Sequence, residues 1–297
     1  MMITVLGSIN VDLFGKVPAL PAPGETVLGS HFMATPGGKG ANQALAAARA
    51  GAKVRMIGAT GADPYAVQAL ELLRVGGVDL TGVHQLEAAT GVAFVIVDAA
   101  GENQIAVMSG ANLAVTADKI GELAFVPEDV LLMQLEIPIA TMAPALLDAR
   151  KAGATTLLNL APFRTDGLPL ARQTDVLIVN EGECNALGSA LAVASASVRE
   201  TAASVQQVFG NTVILTLGDE GSMAFTPTER LVAHAPRINA IDTVGAGDTF
   251  CGYLAAGIAR MGGALSLELL QLATNAASMA CQRSGAQAAI PFLADVE

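Results

Sequence analysis

The chain has no tryptophan, two tyrosines and nine phenylalanines, so aromatics are 4% of its 297 residues. Its core must be aliphatic, and a 52% hydrophobic content rich in Ala, Val and Leu supplies one suited to helices packed closely on a parallel sheet. Charge is scarce as well: 14% of residues are charged, with 16 Lys+Arg against 27 Asp+Glu, a net charge of −11. No basic cluster stands out, and binding a nucleic-acid backbone takes concentrated positive charge, so no nucleic-acid partner is expected. A single nucleotide remains within reach, because backbone amides, a few cations and Mg²⁺ can meet its charge locally. Cys184, Cys251 and Cys281 are far apart and form no C-x-x-C, which speaks against a disulfide scaffold or zinc site and fits a reduced, cytoplasmic protein. His31, His84 and His234 are isolated and read as structural or surface residues. No run approaches the ~18 uncharged apolar residues that span a bilayer, so no membrane association is expected. The start, Met2 to Gly7, lacks a basic segment and reads as a first strand, not a signal peptide.

What is present is organised around Asp242-Thr243-Val244-Gly245-Ala246-Gly247-Asp248-Thr249-Phe250. A strand-like stretch precedes it (230 to 234, then 238 to 241). A helix follows, with Phe250, Leu254 and Ile258 at i, i+4 and i+8. Glycines at such a junction leave backbone N–H groups free at the positive end of the helix dipole, a place for phosphate oxygens. Asp248 in the same turn has two readings. It is either a helix cap, or a base that takes a hydroxyl proton while the amides hold a transferring phosphoryl group.

Along the chain, apolar strands alternate with helices, which predicts an α/β fold: a mostly parallel central sheet with helices on both faces. Strands are expected at 3–8, 54–59, 130–135, 155–160, 176–179 and 213–217, with helices at 44–50, 63–74, 117–123, 139–151, 183–187, 198–208, 247–260 and 267–281. A hairpin is expected at 222–235. The segments 13–34, with a short strand at 26–32, and 91–108, a second hairpin, break the alternation. They read as a small β-sheet lid on a single domain spanning 1–297. Polar residues recur where strands end, the rim at which open parallel sheets bind ligands. Asn10 and Asp12 follow the first strand, and Glu136 follows Leu131 to Leu135. Asn180, with Glu181 and Glu183, follows Leu177 to Val179, and Thr216 and Gly218 close Val213 to Leu215. Each alone is as well explained by capping or a polar strand edge. Pro36-Gly37-Gly38-Lys39-Gly40-Ala41-Asn42-Gln43 is a second glycine-rich loop opening a helix. It is not a P-loop, since Ala34 and Gly40 stand where Gly and Ser or Thr are needed. Lys39 and Asn42 there suit hydroxyl recognition, against a reading in which the glycines serve only turning and packing.

These motifs together resemble the ribokinase (PfkB-type) family of carbohydrate kinases over essentially the whole chain. The matching stretches are Gly7 to Asp12, Pro23 to Thr26, Gly37 to Ala44, Met133 to Glu136, Asn180 to Glu183, Asp242 to Phe250 and Gly285 to Gln287. The resemblance implies ATP-dependent phosphorylation of the primary 5-hydroxyl of D-ribose. Asp248 would be the base and Gly245, Ala246 and Gly247 the anion hole. Asn10, Asp12, Gly38, Lys39, Asn42 and Glu136 would hold the sugar. Asn180, Thr216, Gly218, Gly221, Gly247 and Asn275 would line the ATP site, with Glu183 acting on Mg²⁺ through water. An activating K⁺ would sit by Asp242 and the carbonyls of Val244, Ala280, Arg283 and Gly285. Ala289 stands where the family often offers a Ser hydroxyl to that ion. The lid would also form a homodimer contact. Other readings are a related kinase of a nucleoside, pseudouridine or keto-sugar acid, or a non-catalytic sugar sensor, which would have no need of a base. A Rossmann dehydrogenase fails because Phe250 stands where G-x-G-x-x-G needs its last glycine.

Overall fold

The computed structural model describes residues 1–193 and 195–296. Thirteen strands form two sheets among these residues. The strands are β1 (Ile3–Leu6), β2 (Asn10–Lys16), β3 (Ser30–Gly37), β4 (Val54–Gly61), β5 (Asp79–Leu86), β6 (Gly91–Val97), β7 (Asn103–Met108), β8 (Val130–Gln134), β9 (Thr155–Asn159), β10 (Val176–Asn180), β11 (Thr212–Thr216), β12 (Gly221–Phe225) and β13 (Arg230–His234). The large sheet runs β13-β12-β11-β10-β9-β8-β1-β4-β5. It is parallel from β11 to β5, with the hairpin β12–β13 added antiparallel at one edge. The small sheet runs β3-β2-β6-β7.

Both faces of the large sheet are covered, and the strands show why they read as unbroken apolar runs. In β8, Val130 and Leu132 join one core with the helices Lys39–Arg49, Ala246–Arg260 and Leu267–Ala280. Leu131 and Met133 join the opposite core, with the helices Ile139–Ala152 and Val198–Phe209. The same alternation holds in β10, where Val176 and Ile178 face one way and Leu177 and Val179 the other. With side chains alternating along a strand, burial on both faces requires every position to be apolar.

Several boundaries differ from the sequence expectation. The glycine-rich loop is shorter than expected, because the helix begins at Lys39 rather than 44. Gly38 (φ 89°) turns the chain, and a Cβ on it would lie 2.7 Å from Asn10 N. The helix start is thereby pressed against the segment after β1, where Ala41 N donates to Ser8 O at 2.9 Å. The expected 63–74 helix is two, Pro64–Ala69 and Glu71–Val75, joined at Leu70; Asp63 does cap the first, accepting from Ala66 N. The short strand begins at Ser30, not 26, and runs to Gly37. β5 was not expected at all: it is an edge strand, half exposed and interrupted by polar residues. Residues 238–241 form no strand; they hang from Cys281 O, which accepts from the amides of Ile241 (2.8 Å) and Asp242 (3.2 Å).

Candidate active site

The helix Ala246–Arg260 starts from Gly245, in the left-handed region at φ 78°. A Cβ on Gly245 would come within 2.9 Å of Ala286 Cα, so the turn requires glycine twice over. No side chain caps this helix, so its first amides are left to other acceptors. Asp248 is therefore not the cap that one reading made it. It is the third helical residue, 7% exposed, and its carboxylate crosses to the Lys39–Arg49 helix. Asn42 Nδ2 donates to Asp248 Oδ2 at 2.9 Å and Gln43 Nε2 to Oδ1 at 2.8 Å.

A cavity of about 240 Å³ opens beside this carboxylate. Of the residues singled out in the sequence, Lys39, Asn180, Glu183, Thr216, Gly245, Gly247 and Asp248 form its walls. Nothing lies within 4 Å of where a Gly247 Cβ would stand, so its backbone faces open space. Gly218, Gly221 and Asn275 are not among the wall residues. Gly221 (φ 108°) has a packing reason of its own, since a Cβ would run into Ala233 O, and Asn275 Oδ1 accepts from Gln271 Nε2 at 2.8 Å. Asn180 and Glu183 also make a reciprocal capping box: Asn180 N donates to Glu183 Oε2 (2.9 Å) and Glu183 N to Asn180 Oδ1 (2.8 Å). The cap uses one oxygen of Glu183 and leaves the other.

Asn10 and Asp12 lie on β2 of the small sheet, Gly38 packs against Asn10 N, and Asn42 reaches Asp248 from the helix that Lys39 opens. Glu136 Oε2 accepts from Ser8 Oγ (2.5 Å) and from Lys39 N (3.3 Å), which fixes the carboxylate at the helix start. Burial, then Glu136 and Asp248, push the Asp12 carboxyl up to about 7, with Lys39 opposing. Asp248 holds the Lys39 ammonium charged more strongly than usual, against the cost of burial and with help from Glu136 and Glu183. Burial raises Glu183, opposed by the Asn180 amide and Lys39. One cation thus sits among four carboxylates in a partly dry site, where such interactions are strong.

The residues proposed for K⁺ lie in two turns tied together by Asp242. Its Oδ1 accepts from Val244 N (3.0 Å) and its Oδ2 from Gly285 N (2.9 Å). The Ala280 and Gly285 carbonyls accept only long bonds, from Arg283 N (3.2 Å) and Ala289 N (3.3 Å). Carboxylate and carbonyl oxygens of this kind suit a hard cation. Ala289 is buried and brings no hydroxyl.

Sequence reasoning missed four polar residues here. Asn159 ends β9 and lines the cavity, the same strand-end signal as Asn180 but passed over. Asn112, 1% exposed, accepts from Ile9 N (2.9 Å) and donates to Asn10 Oδ1 (2.7 Å). Gln43 and Gln134 stand in quoted motifs with no role given to them.

A buried carboxylate, an uncapped helix start and a lysine at one end of a cavity are the parts a phosphoryl-transfer enzyme needs, here on a mostly parallel α/β sheet. Residues 1–293 match the pfkB family of carbohydrate kinases, and the chain belongs to that family. It is accordingly an ATP-dependent sugar kinase. A ribokinase of Staphylococcus aureus (strain COL) is 35% identical over 298 residues, covering 99% of this chain and 98% of that protein. The crystal structure of a ribokinase from Thermotoga maritima superposes with a TM-score of 0.87 at 30% identity, covering 99% of this chain and 97% of that one. The Arabidopsis thaliana ribokinase complexed with ribose and ATP gives a TM-score of 0.86 at 28% identity, with 99% and 96% covered.

Proposed function

We propose that the chain transfers the terminal phosphoryl group of ATP to the primary 5-hydroxyl of D-ribose. The observation that carries this is Asp248: a buried carboxylate, held by two amide donors, at the mouth of a glycine turn where no side chain caps the helix and Ala246 N makes only a long bond, to Thr243 O at 3.3 Å. Asp248 takes the hydroxyl proton and aligns the oxygen for in-line attack. The amides of Gly245, Ala246 and Gly247, with the Lys39 ammonium, stabilise charge on the equatorial oxygens as the bond to the leaving oxygen breaks. Asn10, Asp12, Gly38, Lys39, Asn42 and Glu136 hold the sugar. Asn180, Thr216 and the Gly247 end of the helix receive the nucleotide, with Gly218, Gly221 and Asn275 further out.

Among the described residues no group of three or more His, Cys, Asp and Glu could hold a metal by itself. A Mg²⁺ ion would therefore rely on the substrate phosphates and on Glu183 through water, neutralising phosphate charge. A K⁺ ion by Asp242 and the carbonyls of Val244, Ala280, Arg283 and Gly285 would order the turn that carries the anion hole. The small sheet, about 13–34 and 91–108, acts as a lid on the single domain. Phe32, Met33, Phe94, Ile105, Val107 and Met108 are exposed on it, which supports a homodimer through that sheet. The free, mostly buried cysteines suit a cytoplasmic enzyme.

The test is ADP release from ATP–Mg²⁺ with D-ribose, 2-deoxyribose, fructose, 2-keto-3-deoxygluconate, adenosine, cytidine and pseudouridine, each with and without K⁺. Ribose should be preferred, and K⁺ should raise its turnover. Asp248→Asn should lose ~10²–10⁴-fold in kcat with sugar binding largely kept. A nucleoside or keto-acid preference would overturn the substrate, and near-normal turnover of Asp248→Asn would overturn the base.

A further inference from the structure

From Asp248 a chain of buried amides runs through Gln43 to Gln134 at the end of β8, and stops over Gly7, just past the first strand. Gln134 Nε2 donates to Gln43 Oε1 at 2.7 Å, and Gln43 Nε2 donates to Asp248 Oδ1 at 2.8 Å. Both glutamines are fully buried. A carboxylate only accepts, so Gln43 must turn its NH₂ toward Asp248; its oxygen then faces Gln134, which must answer with its own NH₂. The charge at one end thus sets the orientation of every amide behind it. Gln134 Oε1 is the end of the line: it is buried with no hydrogen-bond partner and sits over Gly7, where a Cβ would overlap it. Two close approaches make the chain possible. One is at Gly7. The other is at Gly252, one turn after Asp248, where a Cβ would come within 2.6 Å of Gln43 O and 2.7 Å of Ala47 N.

We propose that Gln43 and Gln134 are positioning residues for the phosphoryl-transfer step. Gln134 orients Gln43, and Gln43 fixes the rotation of the Asp248 carboxylate, so that the lone pairs left by Asn42 and Gln43 point at the sugar hydroxyl. An unfilled buried acceptor on Gln134 is the cost of keeping that orientation. This rests on the reading of Asp248 as the base.

Steady-state kinetics of Gln43→Leu, Gln134→Leu and the double variant, beside Asp248→Asn, test it. Gln43→Leu should lower kcat roughly 10–100-fold with the KM values for sugar and ATP within about twofold, because only alignment in the transition state is lost. Gln134→Leu should lower kcat less, and the double variant should match Gln43→Leu, since Gln134 acts only through Gln43. Gln43→Glu covers the event that the leucine variants fold poorly. That variant is active only while its introduced carboxyl keeps a proton to donate, so its kcat should fall as pH rises where that of the wild type does not. Full activity of Gln43→Leu with Asp248→Asn inactive overturns this inference alone. Multiplicative losses in the double variant, or a wild-type pH profile in Gln43→Glu, overturn it as well. An active Asp248→Asn overturns the base reading beneath it.

Discussion

Asp12 gives the sharpest quantitative test of the site's electrostatics. Its carboxyl sits at about 7 in the folded chain against an ordinary value of 3.8, pushed there first by burial and then by Glu136 and Asp248. The folded state therefore holds a proton that the unfolded state has released at any pH between the two values. Stability falls with rising pH wherever the folded state binds more protons. Below 3.8 both states are protonated and the contribution is fully present; above 7 both are ionised and it is lost. A separation of about 3 units at 1.36 kcal/mol each makes the whole loss about 4 kcal/mol. Asp12→Asn removes this dependence while keeping the size of the side chain. Urea denaturation of both proteins at half-unit steps from pH 4 to 8 isolates the difference, because carboxylates remote from Asp12 titrate alike in both. The stability of Asp12→Asn relative to wild type should climb by about 4 kcal/mol across that range, steepest between about pH 4.5 and 6.5 at close to 1.4 kcal/mol per unit. A difference that stays constant within about 1 kcal/mol would refute the reasoning, because it would mean that Asp12 titrates as an exposed carboxylate does.

Lys39→Met should lower kcat/KM on the order of 10²–10³-fold, as loss of charge stabilisation in a partly buried site does, and steady-state kinetics read it directly. The same variant should shift the Asp12-linked fall in stability to higher pH, since Lys39 is the group that holds Asp12 down. Asn112→Ala leaves Ile9 N and Asn10 Oδ1 without their buried partner. It should cost about 2–3 kcal/mol in denaturant unfolding and raise the sugar KM more than it lowers kcat. Gly252→Val forces its helix away from Ala46 and Ala47, whose nearest atoms stand 2.5–2.7 Å from a Cβ there. Calorimetry should show a loss of about 1–3 kcal/mol or more, with activity falling alongside because Asp248 is drawn off Asn42 and Gln43.

How much of this could be read from the residues alone follows from where each signal lies. Strands buried on both faces, such as β8 and β10, announce themselves as apolar runs, so the α/β alternation was legible. β5 was not, because an edge strand with one exposed side loses that run and Asp79, Thr81 and Gln85 resemble a loop. The start of the Lys39–Arg49 helix was misplaced because Gly38 and Gly40 read as loop residues. Their absent side chains in fact serve its close packing against residues 7–10.

In the site, what lies at a strand end or a helix start is visible locally, and what holds it in place is not. Glu136, Asn180 and Asp248 each follow a recognisable boundary. Gln43, Gln134 and Asn112 act on partners 205, 91 and 102 residues away in sequence, which no local pattern reports. Each nonetheless breaks a rule that can be seen in one dimension. Gln134 interrupts Leu131-Leu132-Met133 and Leu135, Gln43 opens an alanine-rich helix face, and Asn112 stands between Ala111 and Leu113. A buried amide must find partners for both ends or carry a cost of about 1–3 kcal/mol. A polar residue kept inside such a stretch therefore points to a second polar residue, and here the partners are Asp248 and Asn10, the carboxylate read as the base and an amide read as a sugar ligand. Of these three amides, Gln134 is the one that does not meet the rule, its oxygen being unpaired. That deficit, at the far end of a chain that begins on Asp248, is what a fold tuned only for stability would remove.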